Sequence, residues 1–173
     1  MKRVEQRCAI LSEVVRSVRP VYEKSDPDQA ALIETMIGAA IWYVPKPVNA
    51  WTGRISIAAL QAFHRDKGTA KLSEEHVYPR KVVARLLLKD ESLDQRSMFV
   101  SFTEKYGRLH YITPQENKAV QTFQRVDRFT TPDEAYQKAG IVLVEVGDAE
   151  ALREIKKGNR AIIERYLEQA RGG

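Results

Sequence analysis

A chain of 173 residues is long enough to bury a real core, and 43% hydrophobic against 29% charged residues excludes a disordered polyelectrolyte. The 28 Lys and Arg exceed the 23 Asp and Glu for a formal charge of +5, which suits a polyanionic partner without requiring one. The single Cys8 excludes an internal disulfide framework and has no Cys or His neighbours at metal spacing, which points to a reducing cytoplasm.

The amino terminus, Met1-Lys2-Arg3-Val4-Glu5-Gln6-Arg7, runs into charged amphipathic sequence, so no secretory signal is expected. Apolar residues at Val4, Ala9, Ile10, Val14, Val15, Val18 and Val21 recur with helical period over residues 4 to 23, and Pro20 is expected to end or bend that helix. In Ser25-Asp26-Pro27-Asp28 a cap-type residue precedes proline, which opens a mostly buried helix over Ala30 to Tyr43, stopped by Pro45-Lys46-Pro47. The most apolar stretch, Met36 to Val44, falls far short of the roughly 20 residues a bilayer demands, so no membrane partner is expected. Trp42, Tyr43 and Trp51 around the proline-rich corner read as packing between helices. A third helix is predicted from Ile55 to Arg65, bracketed by Gly53 and Gly68.

After Gly68 comes a short stretch ending in Glu75-His76-Val77-Tyr78-Pro79, followed by a strongly helical Lys81 to Lys89. Met98 to Phe102 and Arg108 to Ile112 flank Glu104-Lys105-Tyr106-Gly107 and read as two strands of a hairpin. Thr113-Pro114-Gln115-Glu116 then starts a helix with a capping box, and Thr131-Pro132-Asp133-Glu134 repeats that chemistry. Ile141 to Val146 reads as a strand, and residues 149 to 170 as an amphipathic segment with a break at Gly158-Asn159. The expected fold is α+β, mainly helical, with a small antiparallel β-hairpin. It forms one domain over 1–173: a helical extension to residue 68, a core from 69 to 125 and an α/β segment from 126.

Metal-dependent phosphodiester hydrolysis needs a base to activate water and a cation to stabilise the phosphorane and the departing oxygen. Histidine suits the base because its ordinary pKa of about 6.5 leaves much of it neutral at cellular pH. Oxygen ligands suit Mg²⁺. Glu75, His76 and Asn117 supply such a set.

The run Glu75-His76-Val77-Tyr78-Pro79 resembles the first strand of the HNH, or ββα-metal, nucleases: an acid, His, an apolar residue, any residue, then Pro. The resemblance covers residues 70 to 125 and implies a ββα-metal-like core that hydrolyses DNA with Mg²⁺ or Mn²⁺. It makes His76 the general base and Glu75 and Asn117 metal ligands. The chain departs from the family in having Glu as the acid, in the helix inserted between His76 and Asn117, and in lacking an identifiable loop Asn to orient the histidine.

Arg80 and Lys81 follow the motif, and Lys81, Arg85 and Lys89 share one helical stripe that could track phosphates or stand simply as a solvated face. Asn117 reads equally as a solvated helix residue, and Glu116 as a capping residue with a ligand role in reserve. His64 and His110 read as structural. Competing functions are a noncatalytic nucleic-acid-binding or regulatory module and an RNA-cleaving toxin. The apolar amino-terminal helices suit either a homodimer interface or a cover for the core.

Overall fold

The computed structural model describes residues 2–44, 50–94 and 96–172, so the expected stop at Pro45-Lys46-Pro47 lies outside the described residues. The fold is α+β and mainly helical, as composition and periodicity predict. The chain divides into two compact units, each built from two stretches: Met1–Ala50 with His76–Arg108, and Trp51–Glu75 with Leu109–Gly173.

The first unit is helical, formed by α1 (Lys2–Glu23), α2 (Pro27–Trp42), α4 (Arg80–Lys89), a 3-10 turn (Glu91–Asp94) and α5 (Arg96–Tyr106). On α1, Cys8, Leu11, Val15 and Arg19 recur every three or four residues and are buried, which is the stripe a helix presents to a core. Pro20 lies inside α1 and does not end it. The Arg19 guanidinium is turned inward, where it donates to the carbonyls of Leu88 at 3.0 Å, Asp90 at 3.3 Å and Leu87 at 3.4 Å. It thereby satisfies the carbonyls that the end of α4 leaves without helical partners. Asp26 caps α2 through the amides of Asp28 and Gln29, with Pro27 at the first turn. Gly38 lets α2 approach α4 closely, since a β-carbon there would sit 2.7 Å from the Arg80 carbonyl oxygen.

Met98 to Phe102, expected as a strand, is helical within α5. Phe99 and Phe102, three residues apart, are buried with Leu87, Leu88 and Leu93, so burial on one helical side overrides the strand propensity of a short aromatic and β-branched run. The expected hairpin therefore does not form.

The second unit carries a four-stranded mixed sheet in the order β2-β3-β1-β4, from β1 (Trp51–Ser56), β2 (Ser73–His76), β3 (Leu109–Ile112) and β4 (Leu143–Glu145). The last residue of β2, His76, begins the second stretch of the helical unit. Strand β3 runs parallel to β1, with Trp51 opposite Leu109 and Ile55 opposite Tyr111, while β4 pairs antiparallel to β1. All four residues of β3 are buried, as expected of a strand inside a sheet.

Sequence periodicity misses β1, because Ile55 shares helical spacing with Ala58, Ala59 and Ala62. Ile55 instead lies in the strand, whose last residue, Ser56, caps α3 (Ile57–Arg65) through the amide of Ala59. Trp51, expected between helices, is a buried strand residue. Helices α6 (Pro114–Val120) and α7 (Pro132–Lys138) start at the predicted Thr-Pro sites. The predicted break at Gly158-Asn159 separates α8 (Ala149–Lys156) from α9 (Arg160–Gly172). Gly158, at φ +77°, lets this corner meet the Lys67-Gly68 backbone, where a β-carbon would lie 2.5 Å from the Lys67 carbonyl carbon. No helix among the described residues is long and apolar enough to cross a membrane.

Strands β2 and β3 are neighbours and α6 follows β3, so a strand-strand-helix order exists. Helices α4 and α5 stand where a ββα-metal core has a hairpin turn, and β1 lies on the far side of β3.

Candidate functional site

His76 ends β2, and its ring lies against Trp42 of α2 with centroids 3.7 Å apart and planes at 57°. The cleft it shares with Gly38, Ile41, Tyr78 and Arg80 has a volume of about 10 Å³, room for one water and far too little for a phosphodiester. Burial, and secondarily the nearby Arg80 charge, lowers the His76 pKa to about 4. The imidazole is thus neutral at pH 7, but so weakly basic that it is poorly matched to general-base work at that pH.

Glu75 precedes His76 on the strand, and successive strand side chains point to opposite faces. The Glu75 carboxylate is buried in the sheet-bearing unit, where Gln124 Nε2 donates to it at 2.5 Å. Close by is the buried Tyr136, whose hydroxyl is pushed well above its ordinary pKa first by burial and then by the charges of Glu75 and Asp133. The Tyr136 ring stands edge-on to His110 at 5.2 Å, and His110 Nδ1 lies 2.5 Å from the Thr52 hydroxyl. The buried Glu75, His110 and Tyr136 thus form a polar cluster with the half-buried Gln124 and Thr52, in which Gln124, Thr52 and Tyr136 carry no local sequence signal. Its burial suits a core that specifies strand packing better than a site open to substrate.

Asn117 lies half-buried on α6, its side-chain oxygen 3.5 Å from Gln121 Nε2. Glu116 is consumed as a cap: its carboxylate accepts from the Thr113 amide at 2.8 Å, the Thr113 hydroxyl at 3.0 Å and the Ser56 hydroxyl at 2.6 Å. Among the described residues no group of three His, Cys, Asp or Glu side chains is placed to hold a metal ion. Glu75 is turned to Gln124 while His76 is turned to Trp42, so these side chains do not fit a Mg²⁺ or Mn²⁺ site in the arrangement present. His64 lies on α3 with its Nε2 2.9 Å from the Glu164 carboxylate of α9.

The basic helix is divided in role. Lys81, Arg85 and Lys89 are exposed on one side of α4, and Arg80 stands at its start. Arg85 Nε, however, lies 2.5 Å from the buried Glu34 carboxylate, which also accepts from the Tyr22 hydroxyl at 2.9 Å. Lys81 and Lys89 make no ion pair among the described residues. Most of the chain's positive excess lies in the helical unit: residues 1–50 and 76–108 hold 14 Lys and Arg against 10 Asp and Glu, whereas the remainder holds 14 against 13.

The sheet-bearing unit also has an open groove of about 580 Å³ lined by Phe63, Leu72, Glu74, Tyr111 and Lys156. Its polar groups are committed to one another: the Lys156 ammonium sits 4.1 Å from the Tyr111 ring centroid, and the Tyr111 hydroxyl donates to Glu74 at 3.3 Å. Comparison of the chain with protein-family models, curated proteins and solved structures found no match.

Proposed function

We propose that this protein is a noncatalytic nucleic-acid-binding module whose contact surface is the basic side of α4, with Lys81 and Lys89 as phosphate contacts and Arg80 beside them. The observation that carries the reading is the concentration of positive charge in the helical unit together with two exposed lysines on one helix. Arg85 contributes less, because its guanidinium is held by Glu34. Binding of this kind is driven by counterion release and does not depend on divalent metal. Fluorescence anisotropy with labelled duplex DNA and single-stranded RNA, in EDTA, tests it. Affinity should fall steeply between about 50 and 200 mM salt, and Lys81→Gln with Lys89→Gln should flatten the log-log slope by about two. Absent or salt-insensitive binding overturns the proposal, as does an unchanged slope in the double variant.

A second reading, a Mg²⁺- or Mn²⁺-dependent DNA endonuclease of HNH type with His76 as base and Glu75 and Asn117 as ligands, is favoured by the strand-strand-helix order of β2, β3 and α6. It requires the Glu75 carboxylate to leave Gln124. Plasmid cleavage that needs added metal and is lost in His76→Ala supports this reading over the first. Intact plasmid under the same conditions removes it, and an RNA substrate run in parallel tests the toxin variant.

A further inference from the structure

The open groove of about 580 Å³ in the sheet-bearing unit has the size of a small-molecule site. Its floor is apolar: Phe63 and Tyr111 are 3% and 7% exposed, and half-buried Leu72 lines the groove with them. Two exposed residues of opposite charge, Glu74 and Lys156, complete the lining. Glu74 belongs to β2 and Tyr111 to the neighbouring β3, and strand alternation turns Glu74 to the face opposite the buried Glu75. Lys156 is the last residue of α8, and the close meeting of the Gly158 corner with Lys67 and Gly68 brings that helix end to the groove.

Lys156 and Glu74 make no ion pair among the described residues. The Tyr111 ring holds the Lys156 ammonium at 4.1 Å without neutralising it, and partial desolvation lowers the Lys156 pKa more than the Glu74 charge raises it. On Glu74 the Tyr111 hydroxyl takes one of the roughly four acceptor positions of a carboxylate. Tyr111 thus engages both charges and keeps them half a ring and one hydrogen bond apart, each with capacity for a ligand.

We infer that this groove binds an α-amino acid with a large apolar side chain, its carboxylate on Lys156, its ammonium on Glu74 and its side chain over Phe63 and Leu72. The spacing of the charges suits such a molecule. In an α-amino acid the nitrogen and the carboxyl carbon lie about 2.5 Å apart, so with a hydrogen bond of about 2.8 Å at each end it reaches across a gap too wide for direct pairing. An acid without the amine sets its charge against an unanswered Glu74, and an amine without the acid does the same against Lys156, so the groove selects a molecule that carries both. The apolar floor supplies the remaining affinity by burial. All the lining residues belong to the sheet-bearing unit, so the site draws on none of the lysines of α4 and stands or falls independently of nucleic-acid binding.

Isothermal titration calorimetry of the full chain with L-phenylalanine tests the proposal. The expected Kd lies between about 10 µM and 1 mM, the range open to a ligand of roughly a dozen non-hydrogen atoms. Phenethylamine, 3-phenylpropionate and glycine each lack one of the three anchors and should bind at least about tenfold more weakly. Lys156→Gln should weaken L-phenylalanine binding at least about tenfold, and Glu74→Gln should abolish the preference for L-phenylalanine over 3-phenylpropionate. Both positions are exposed, and circular dichroism checks that the variants remain folded. Absence of L-phenylalanine binding up to about 10 mM overturns the proposal. So does a wild type that binds 3-phenylpropionate equally well, or an affinity for L-phenylalanine that neither substitution changes.

Discussion

Replacing Arg85 with Gln separates its structural role from the phosphate-binding role that its place on the basic stripe suggests. Glu34 is 2% exposed, and among the described residues its carboxylate accepts hydrogen bonds from Arg85 Nε and the Tyr22 hydroxyl. Removing one partner of a buried ion pair costs about 3–5 kcal/mol, because the other charge stays buried without compensation. The Arg85 side chain is 45% exposed, however, so water already screens part of the attraction and the expected loss falls to about 1.5–3 kcal/mol. Urea unfolding at neutral pH, followed by far-ultraviolet circular dichroism, measures it through the midpoint at constant slope. The Glu34→Gln, Arg85→Gln double variant should recover about 1 kcal/mol or more relative to Arg85→Gln alone, since the buried carboxylate goes with its partner. A single variant within about 0.5 kcal/mol of wild type refutes the reasoning, because a loss that small is what an exposed pair gives.

His76 provides a pH signature. Its folded pKa of about 4 lies below the ordinary 6.5, so between those values the unfolded chain binds a proton that the folded chain does not. The favourable contribution is complete above pH 6.5 and is lost as pH falls, by about 3 kcal/mol at pH 4. Replacing His76 with Gln should flatten that part of the stability profile; superimposable profiles would contradict the packing of its ring on Trp42. The Tyr136 hydroxyl is buried with no partner among the described residues, so Tyr136→Phe should stabilise the protein by about 1 kcal/mol. A clear loss of stability in thermal or urea unfolding would mean that the hydroxyl is satisfied after all.

How much of this structure is legible in the sequence depends on how far apart the deciding residues lie. Cap chemistry at Asp26, Thr113 and Thr131 was readable because each cap is completed by amides two or three residues away. Spacing by four correctly put Lys81, Arg85 and Lys89 on one exposed side. It could not reveal that Arg85 answers to Glu34, 51 positions earlier. Met98 to Phe102, five residues rich in aromatic and β-branched side chains, fits strand and helix alike, and only the core of the helical unit selects between them. Strand β1 was hidden by the helical spacing that Ile55 shares with α3, and its parallel partner β3 lies more than fifty residues later.

At the candidate site, the sequence by itself determined that an acid and a histidine stand side by side before a proline and a basic helix, because adjacency in the chain is given directly by covalent order. Only tertiary structure decided what those side chains meet. Glu75 faces Gln124 and Tyr136 in the sheet-bearing unit, and His76 packs on Trp42 in the helical unit, since neighbouring strand residues leave by opposite faces and each is claimed by residues distant in sequence.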